Sequence, residues 1–204
     1  MDSESRTIVV KPITLEGSAV RLEPLGLEHA PLLWDVVKDH VEETFRWLPY
    51  SLATPQDFHR EVEKALAELR GGVSVPFVTL EQSSGRAIGS TRYMNIDVSN
   101  RRVEIGSTWI APAWQRTAIN TEAKYLMIRH AFEQWGCLRV ELKTDALNQK
   151  SRNAILRIGA QQEGALRQHL ITHTGRVRDT VYFSILDKEW PQVKAQLQKQ
   201  LRGS

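Results

Sequence analysis

The chain has 204 residues, 41% hydrophobic and 25% charged, with a net charge of +3, which suits one globular domain with a sizeable core. No apolar run approaches the roughly 20 residues of a membrane-spanning helix, and no basic stripe interleaves with aromatics as a nucleic-acid surface would, so neither a membrane nor nucleic acid is an expected partner. The opening MDSESRTIVV is acidic and too poor in apolar residues for a secretory signal. A single cysteine, Cys137, cannot close an internal disulfide, and this points to a reducing cytoplasm.

In chain order, residues 15–25 alternate around Ala19, Val20 and Leu22 and predict a first strand. Residues 27–37 predict a helix whose apolar face is Leu32, Leu33, Trp34, Val36 and Val37, with Pro31 tolerable near its start. Thr54-Pro55-Gln56-Asp57 is a helix start, with Thr54 as N-cap, Pro55 at the first position and Asp57 in the electropositive first turn. Gly71-Gly72 stops that helix. Strands over 75–80 and 86–95 flank the turn Ser83-Ser84-Gly85 as a hairpin. A third strand, 102–110, follows a polar connection.

Residues 121–135 predict a long helix exposing only a stripe of Glu122, Arg129 and Glu133, as expected of a helix buried against a sheet, and Gly136 ends it. A strand over 138–144 and a short helix over 151–158, closed by Gly159, come next. Strands over 165–171 and 177–186 pair across Thr174-Gly175, and Asp187 is placed to cap a last helix to residue 201. No repeat or linker divides residues 1–204, so the expectation is one domain, with a core over 15–186 and a C-terminal helix over 187–201. The pattern is α/β (α+β).

The segment WIAPAWQRTAINTEAKYLMIRHAFEQW runs from a strand end through a polar loop into the long helix. The loop is Gln115, Arg116, Thr117, Ala118, Ile119, Asn120 and Thr121. A helix N-terminus offers unpaired N–H groups and partial positive charge, so a loop feeding it can wrap a pyrophosphate, with Arg116 adding charge. The loop resembles the acyl-CoA pyrophosphate loop of the GNAT superfamily of N-acetyltransferases, whose usual pattern is Gln or Arg, two residues, Gly, one residue, Gly or Ala. Here Gln115, Ala118 and Asn120 stand at those places, so both small positions depart from the commonest residues. Glycine allows close approach or positive φ; Ala118 keeps only the first, and Asn120 tolerates the second better than most residues. Taken alone, the loop also reads as an ordinary polar strand-to-helix connection.

The order of elements from 15 to 186 is similar to that superfamily as well. The resemblance implies a mixed, mostly antiparallel central sheet flanked by helices, with one splayed parallel strand pair, and acetyl-CoA as co-substrate; no metal is expected, because no histidine pair stands beside a cysteine or an acidic cluster. It implies that Ile110 contacts pantetheine through its backbone, in a wedge between the strand ending there and the strand over 138–144. Asn148-Gln149-Lys150-Ser151 resembles the Asn-x-x-Ser signature of the ribosomal-protein N-terminal acetyltransferase (Rim-type) branch, in which the Asn amide bonds pantetheine and the Ser hydroxyl lies near the thioester sulfur. Helix capping is the alternative for both residues. A homodimer is compatible with the resemblance.

Acyl transfer to an amine needs a base, a carbonyl donor and a proton for the thiolate. Glu104 alternates with Val103 and Ile105 and faces the other side of the sheet. It stands at the Glu of the branch's Glu-Ile-Gly, which implies a base acting directly or through water; the alternative is a strand carboxylate paired with Arg92, Arg101 or Arg102. Other members use a tyrosine acid where this chain has Ile155, so Ser151 is the natural substitute. The family's acceptor side falls on residues 41–51 and the last hairpin, giving Trp47, Tyr50, Arg178 and Tyr182 as candidate acceptor contacts, with packing under a loop as the alternative. His169 and His173 lie in a strand and a turn, poor spacing for zinc. Cys137 follows a helix end, where nothing lowers its pKa. These expectations describe an acetyl-CoA-dependent N-acetyltransferase acting on a primary amine, either a protein N-terminus or a small molecule. A non-catalytic acyl-CoA-binding module is the rival, motivated by Ala118 and Asn120.

Overall fold

The computed structural model describes residues 7–203; residues 1–6 and 204, including most of the acidic opening, lie outside the described residues. The expected first strand divides into Leu15–Glu16 (β1) and Val20–Pro24 (β2), which run antiparallel with Leu15 opposite Leu22. Gly17, Ser18 and Ala19 make the reversal, and the Gly17 N–H donates to the Val20 carbonyl at 2.9 Å. Alternation of side chains is the same on both arms of so short a turn, so the pattern could not show it.

The first helix is His29–Val37 (α1), buried through Ala30, Leu33 and Val37. Leu32, expected in the core, is 54% exposed, because that i, i+3, i+7 stripe turns it outward. A 3-10 turn, Lys38–His40, leads into a short helix, Val41–Phe45 (α2). Pro55–Arg70 (α3) begins as expected: the Asp57 N–H donates to Thr54 Oγ1 at 3.2 Å and the Thr54 N–H to Asp57 Oδ2 at 2.9 Å. Val75–Glu81 (β3), Ala87–Asp97 (β4) and Arg102–Ile110 (β5) follow as an antiparallel meander.

The long helix is Ala118–Glu133 (α4), three residues earlier than expected. The expected exposed stripe fails at Glu122, which is 6% exposed. Its carboxylate accepts the N–H groups of Ser18, Ala19 and Val20, pinning the β1–β2 turn to the helix. Arg139–Asp145 (β6), Gln149–Arg157 (α5), Gln161–Ile171 (β7), Val177–Leu186 (β8) and Trp190–Arg202 (α6) complete the chain. Asp187 does not cap α6: the cap position falls at Glu189, and Asp187 Oδ1 accepts the Lys188 N–H at 2.8 Å.

The sheet order is β1-β2-β3-β4-β5-β6-β8-β7, antiparallel throughout except for β5 beside β6. Helices α4 and α6 cover one face, where Val103, Ile105, Val140, Phe183 and Ile185 join Leu126, Met127 and Leu197 in one core. Helices α1 and α3 cover the other face over β3 and β4, with Leu33, Phe58 and Val62 against Val78 and Leu80. Alternation along β6 then places Arg139, Glu141, Lys143 and Asp145 opposite Val140 and Leu142, so the second face of the β5–β8 half is charged.

Candidate active site

Parallel pairing between β5 and β6 extends over three residue pairs, Arg102 with Arg139, Val103 with Val140 and Glu104 with Glu141. Beyond them β6 stays with β8 as far as Asp145 opposite Thr180, while β5 stays with β4. The strands therefore part just after Glu104. From Ile105 to Ile110 the β6-facing edge of β5 has no partner strand, and its backbone groups can bond an extended ligand as an added strand would. A bulge between the Ser90 and Arg92 registers puts Ser107 at φ 47° within this free stretch.

Glu104 sits at the fork, 2% exposed. The three arginines named as its alternative partners are engaged elsewhere: Arg92 with Glu61 and Glu68, Arg101 with the Gly136 carbonyl, Arg102 with Asp97 and Glu141. Its Oε2 instead accepts Asn95 Nδ2 at 2.7 Å and faces Lys143 Nζ at 3.0 Å. Asn95 reaches it from a second bulge, in β4, with φ 49°. Oε1 takes no hydrogen bond among the described residues, and a Cβ on Gly106 would stand 3.0 Å from it. One oxygen is thus fixed and the other is left beside a residue with no side chain. Asn95 and Lys143 were not expected; the charged row on β6 was legible as alternation, but which member meets Glu104 depends on the parallel register.

At the other end of the free edge, Thr117 caps α4 by accepting the Ile119 N–H at 3.3 Å. Ala118, Ile119 and Asn120 form the first helical turn, and Thr121 is buried beyond them. Ile119 points into the core. The left-handed residue of this loop is the exposed Arg116, φ 65°, rather than Ala118 or Asn120. Both departures from glycine therefore lie where helical φ suits them. The Ala118 and Asn120 amides have no capping acceptor among the described residues. Gln115 Nε2 donates to the Ile110 carbonyl at 2.8 Å, and its Oε1 accepts from Lys150, which joins the loop to the start of α5.

Asn148 caps α5, its Oδ1 accepting the Ser151 N–H at 3.0 Å. The capping alternative is therefore realised for its oxygen, while Asn148 Nδ2 and the Ser151 hydroxyl have no protein partner among the described residues. Ile155 packs into the core.

Trp47 and Arg178 meet directly, Arg178 Nη1 donating to the Trp47 carbonyl at 3.2 Å. The guanidinium groups of Arg46 and Arg176 both lie over the Trp47 ring, 4.8 and 5.7 Å from its centroid. The buried Asp145 pairs with Arg176 and lies 3.7 Å from Arg178. The His173 N–H donates to the Pro49 carbonyl at 2.9 Å, so the segment after α2 is strapped to the tip of the β7–β8 hairpin. Tyr182 joins from β8, with Lys143 Nζ 5.7 Å from its ring. Tyr50 lies apart from this group, over α3: its hydroxyl donates to Glu61 at 3.2 Å, beside Ser107, and burial pushes it up to about 12. Burial likewise pushes the Cys137 thiol up to about 12. Among the described residues no group of three or more His, Cys, Asp or Glu side chains could hold a metal ion, and no helix is long and apolar enough to cross a membrane.

The model of the acetyltransferase (GNAT) domain matches residues 19–161. YdaF of Bacillus subtilis strain 168, provisionally named a ribosomal N-acetyltransferase, is 38% identical over 106 residues, which cover 52% of this chain and 57% of that protein. The chain spans about half the length of the curated relatives it matches. The crystal structure of a GCN5-related N-acetyltransferase from Brucella melitensis superposes with a TM-score of 0.89 at 33% identity, covering 98% of this chain and 90% of that one. Mycobacterium smegmatis RimJ, solved in complex with CoA-disulfide, shares the fold with a TM-score of 0.78 at 23% identity over 93% of each chain.

Proposed function

The chain belongs to the GNAT acetyltransferase family, and from that premise we propose that it is an N-acetyltransferase that moves an acetyl group from acetyl-CoA to a primary amine by direct attack. One observation carries the reading: Glu104 stands where β5 and β6 part, with Oε2 held by Asn95 and Lys143 and Oε1 free. In this scheme Glu104 accepts the amine proton, directly or through one water, and Lys143 and Asn95 keep the carboxylate aimed. The free edge to Ile110 bonds pantetheine, with Asn148 Nδ2 and the Ser151 hydroxyl nearby. Residues 115–121 receive the pyrophosphate on the α4 N-terminus, with Arg116 contributing charge. Trp47, Arg178 and Tyr182 border the acceptor, with Tyr50 behind the Ser107 bulge. The acceptor is a protein N-terminus or a small amine; the name of YdaF favours the protein. One domain in a reducing cytoplasm suits the buried Cys137 thiol. The rival, a non-catalytic acyl-CoA-binding module, loses its motive, since Ala118 and Asn120 are helical and need no glycine.

Glu104→Gln tests the reading because it keeps the shape and removes the base. General-base assistance is worth about a hundredfold or more, so acetyl-CoA consumption with an accepted amine should fall at least about tenfold near neutral pH, with CoA affinity retained. The loss should shrink at high pH, where the amine is already neutral. Unchanged turnover would return Glu104 to a structural role.

A further inference from the structure

Lys124 lies in the second turn of α4 and is 6% exposed. Its Nζ meets Thr108 Oγ1 at 2.5 Å and Thr91 Oγ1 at 3.3 Å, and the two hydroxyls lie 2.7 Å apart. The hydrogen-bonding partners in this cluster are uncharged: Thr91 on β4, Thr108 on β5, and on α4 itself Met127, whose sulfur is 3.7 Å from Thr91 Oγ1. No ion pair to Lys124 forms among the described residues. An ammonium taken out of water without a carboxylate is costly, and a methionine would fill the same space without that cost. Packing alone therefore gives no reason for a lysine here.

The hydroxyls lead somewhere. Thr91 is 2% exposed, whereas Thr108 is open to solvent. Thr108 follows the Ser107 bulge on the stretch of β5 that has left β6, two residues before Ile110. Besides the Thr91 hydroxyl, the acceptor within reach of its own proton is the Gly106 carbonyl, at a long 3.4 Å. A buried cation is thus linked through one exposed hydroxyl to the wall of the wedge, and the position where a tyrosine acid would stand holds Ile155.

We propose that Lys124 is a positioning residue that supplies, through the Thr108 hydroxyl, the proton taken up by the departing CoA sulfur; this rests on the acetyl-transfer reading above. As the amine N–C bond forms, the C–S bond breaks with its electron pair on sulfur. The sulfur takes the Thr108 proton while Thr108 takes one from Lys124 Nζ, leaving a thiol and a neutral lysine. Glu104 has gained the amine proton, so no net proton is made or lost, and exchange with water resets both groups. Burial brings Lys124 down to about 7, so its proton is available at neutral pH.

The test compares the full-length wild type with Lys124→Met and Thr108→Val. Lys124→Met should melt at the same or a higher temperature, while kcat falls at least about tenfold and KM for acetyl-CoA stays within about twofold. Thr108→Val should show the same loss, and the double variant no more than either single one, because the two act in series. Unchanged kcat, losses that multiply, or a lower melting temperature with KM alone affected would overturn the proposal. If CoA binds but no amine is acetylated, the function itself fails, and titrating the bound CoA thiol by its ultraviolet thiolate absorbance still decides the role of Lys124. A proton link makes Lys124 and the thiol titrate as a coupled pair, so thiolate should form over more than one pH step on wild type and in a single step on Lys124→Met, and identical titrations would overturn the role. If CoA binds to neither protein, function and role are overturned together.

Discussion

Glu122→Ala should destabilise the fold through a turn that lies more than a hundred residues away in sequence. The carboxylate accepts four hydrogen bonds, from Ser18 N at 2.9 Å, Ser18 Oγ at 2.8 Å, Ala19 N at 2.7 Å and Val20 N at 2.9 Å. Ser18 is exposed and can turn to water, but Val20 is fully buried and Ala19 half-buried. Losing a charged acceptor from two shielded amides, with the exposed pair contributing less, costs about 3–5 kcal/mol. Gly17→Ala approaches the same carboxylate from outside: its Cβ would stand 2.5 Å from Glu122 Cδ, which must move, at about 1–3 kcal/mol. In the Glu122→Ala background that clash is gone, so the double variant should be more stable than the sum of the singles predicts by about 1 kcal/mol or more. Urea unfolding of the four proteins measures the cycle. Burial pushes the Glu122 carboxyl up, but the bonds from Ser18, Ala19 and Val20 outweigh it and hold the group below its ordinary value. Its stabilisation is then present above the unfolded pKa of about 4.5 and lost as pH falls through the lower folded value, a transition that Glu122→Ala should lack. Additive costs, or a Glu122→Ala loss under about 1 kcal/mol, would refute the reasoning.

Arg116→Ala should weaken CoA by about 1 kcal/mol, roughly fivefold, while leaving an analogue without the pyrophosphate unaffected, as read by calorimetry. Ala118→Gly should leave CoA affinity unchanged and lower stability by about 0.5–1 kcal/mol, because the position is helical; tighter binding would mean that the loop rearranges with ligand. Between about pH 7 and 10.5 the folded state holds fewer protons at Lys124 than the unfolded one. Its burial penalty, on the order of 5 kcal/mol below that window, is relieved as pH rises through it. Urea unfolding of wild type and Lys124→Met across this range should therefore converge toward high pH.

Elements with a local signal were legible in the sequence. Thr54 with Asp57, the Ser83-Ser84-Gly85 turn and Gly159 each fix a backbone conformation through neighbouring residues, and the structure keeps them. Where two local readings compete, the sequence gives no decision. Thr117-Ala118-Ile119-Asn120 is polar and small enough to read as loop, yet it is a cap followed by a first helical turn, because Ile119 is drawn into the core beneath β5. That shift of three residues changes the meaning of Ala118 and Asn120 from imperfect glycines to ordinary helix positions.

The charged groups were the least legible part, since burial of a charge is decided by partners that periodicity does not see. Glu104 and Glu122 read as polar residues on their elements, nothing in the pattern singled out Lys124, and all three are buried. They differ in how that burial is compensated. Glu122 receives four donors and serves as a structural staple. Glu104 receives one donor and an ion pair on one oxygen and neither on the other, an arrangement that fixes the carboxylate but keeps a lone pair for a ligand. Lys124 has two hydroxyls and no counter-charge. The less the fold compensates a buried charge, the less folding explains its presence, and the more its position in the wedge has to explain. By that ordering the proposed chemistry falls on β5, between Glu104 at the fork and Thr108 above the helix, within a span of five residues whose single bulge aims the two ends at opposite sides of the sheet.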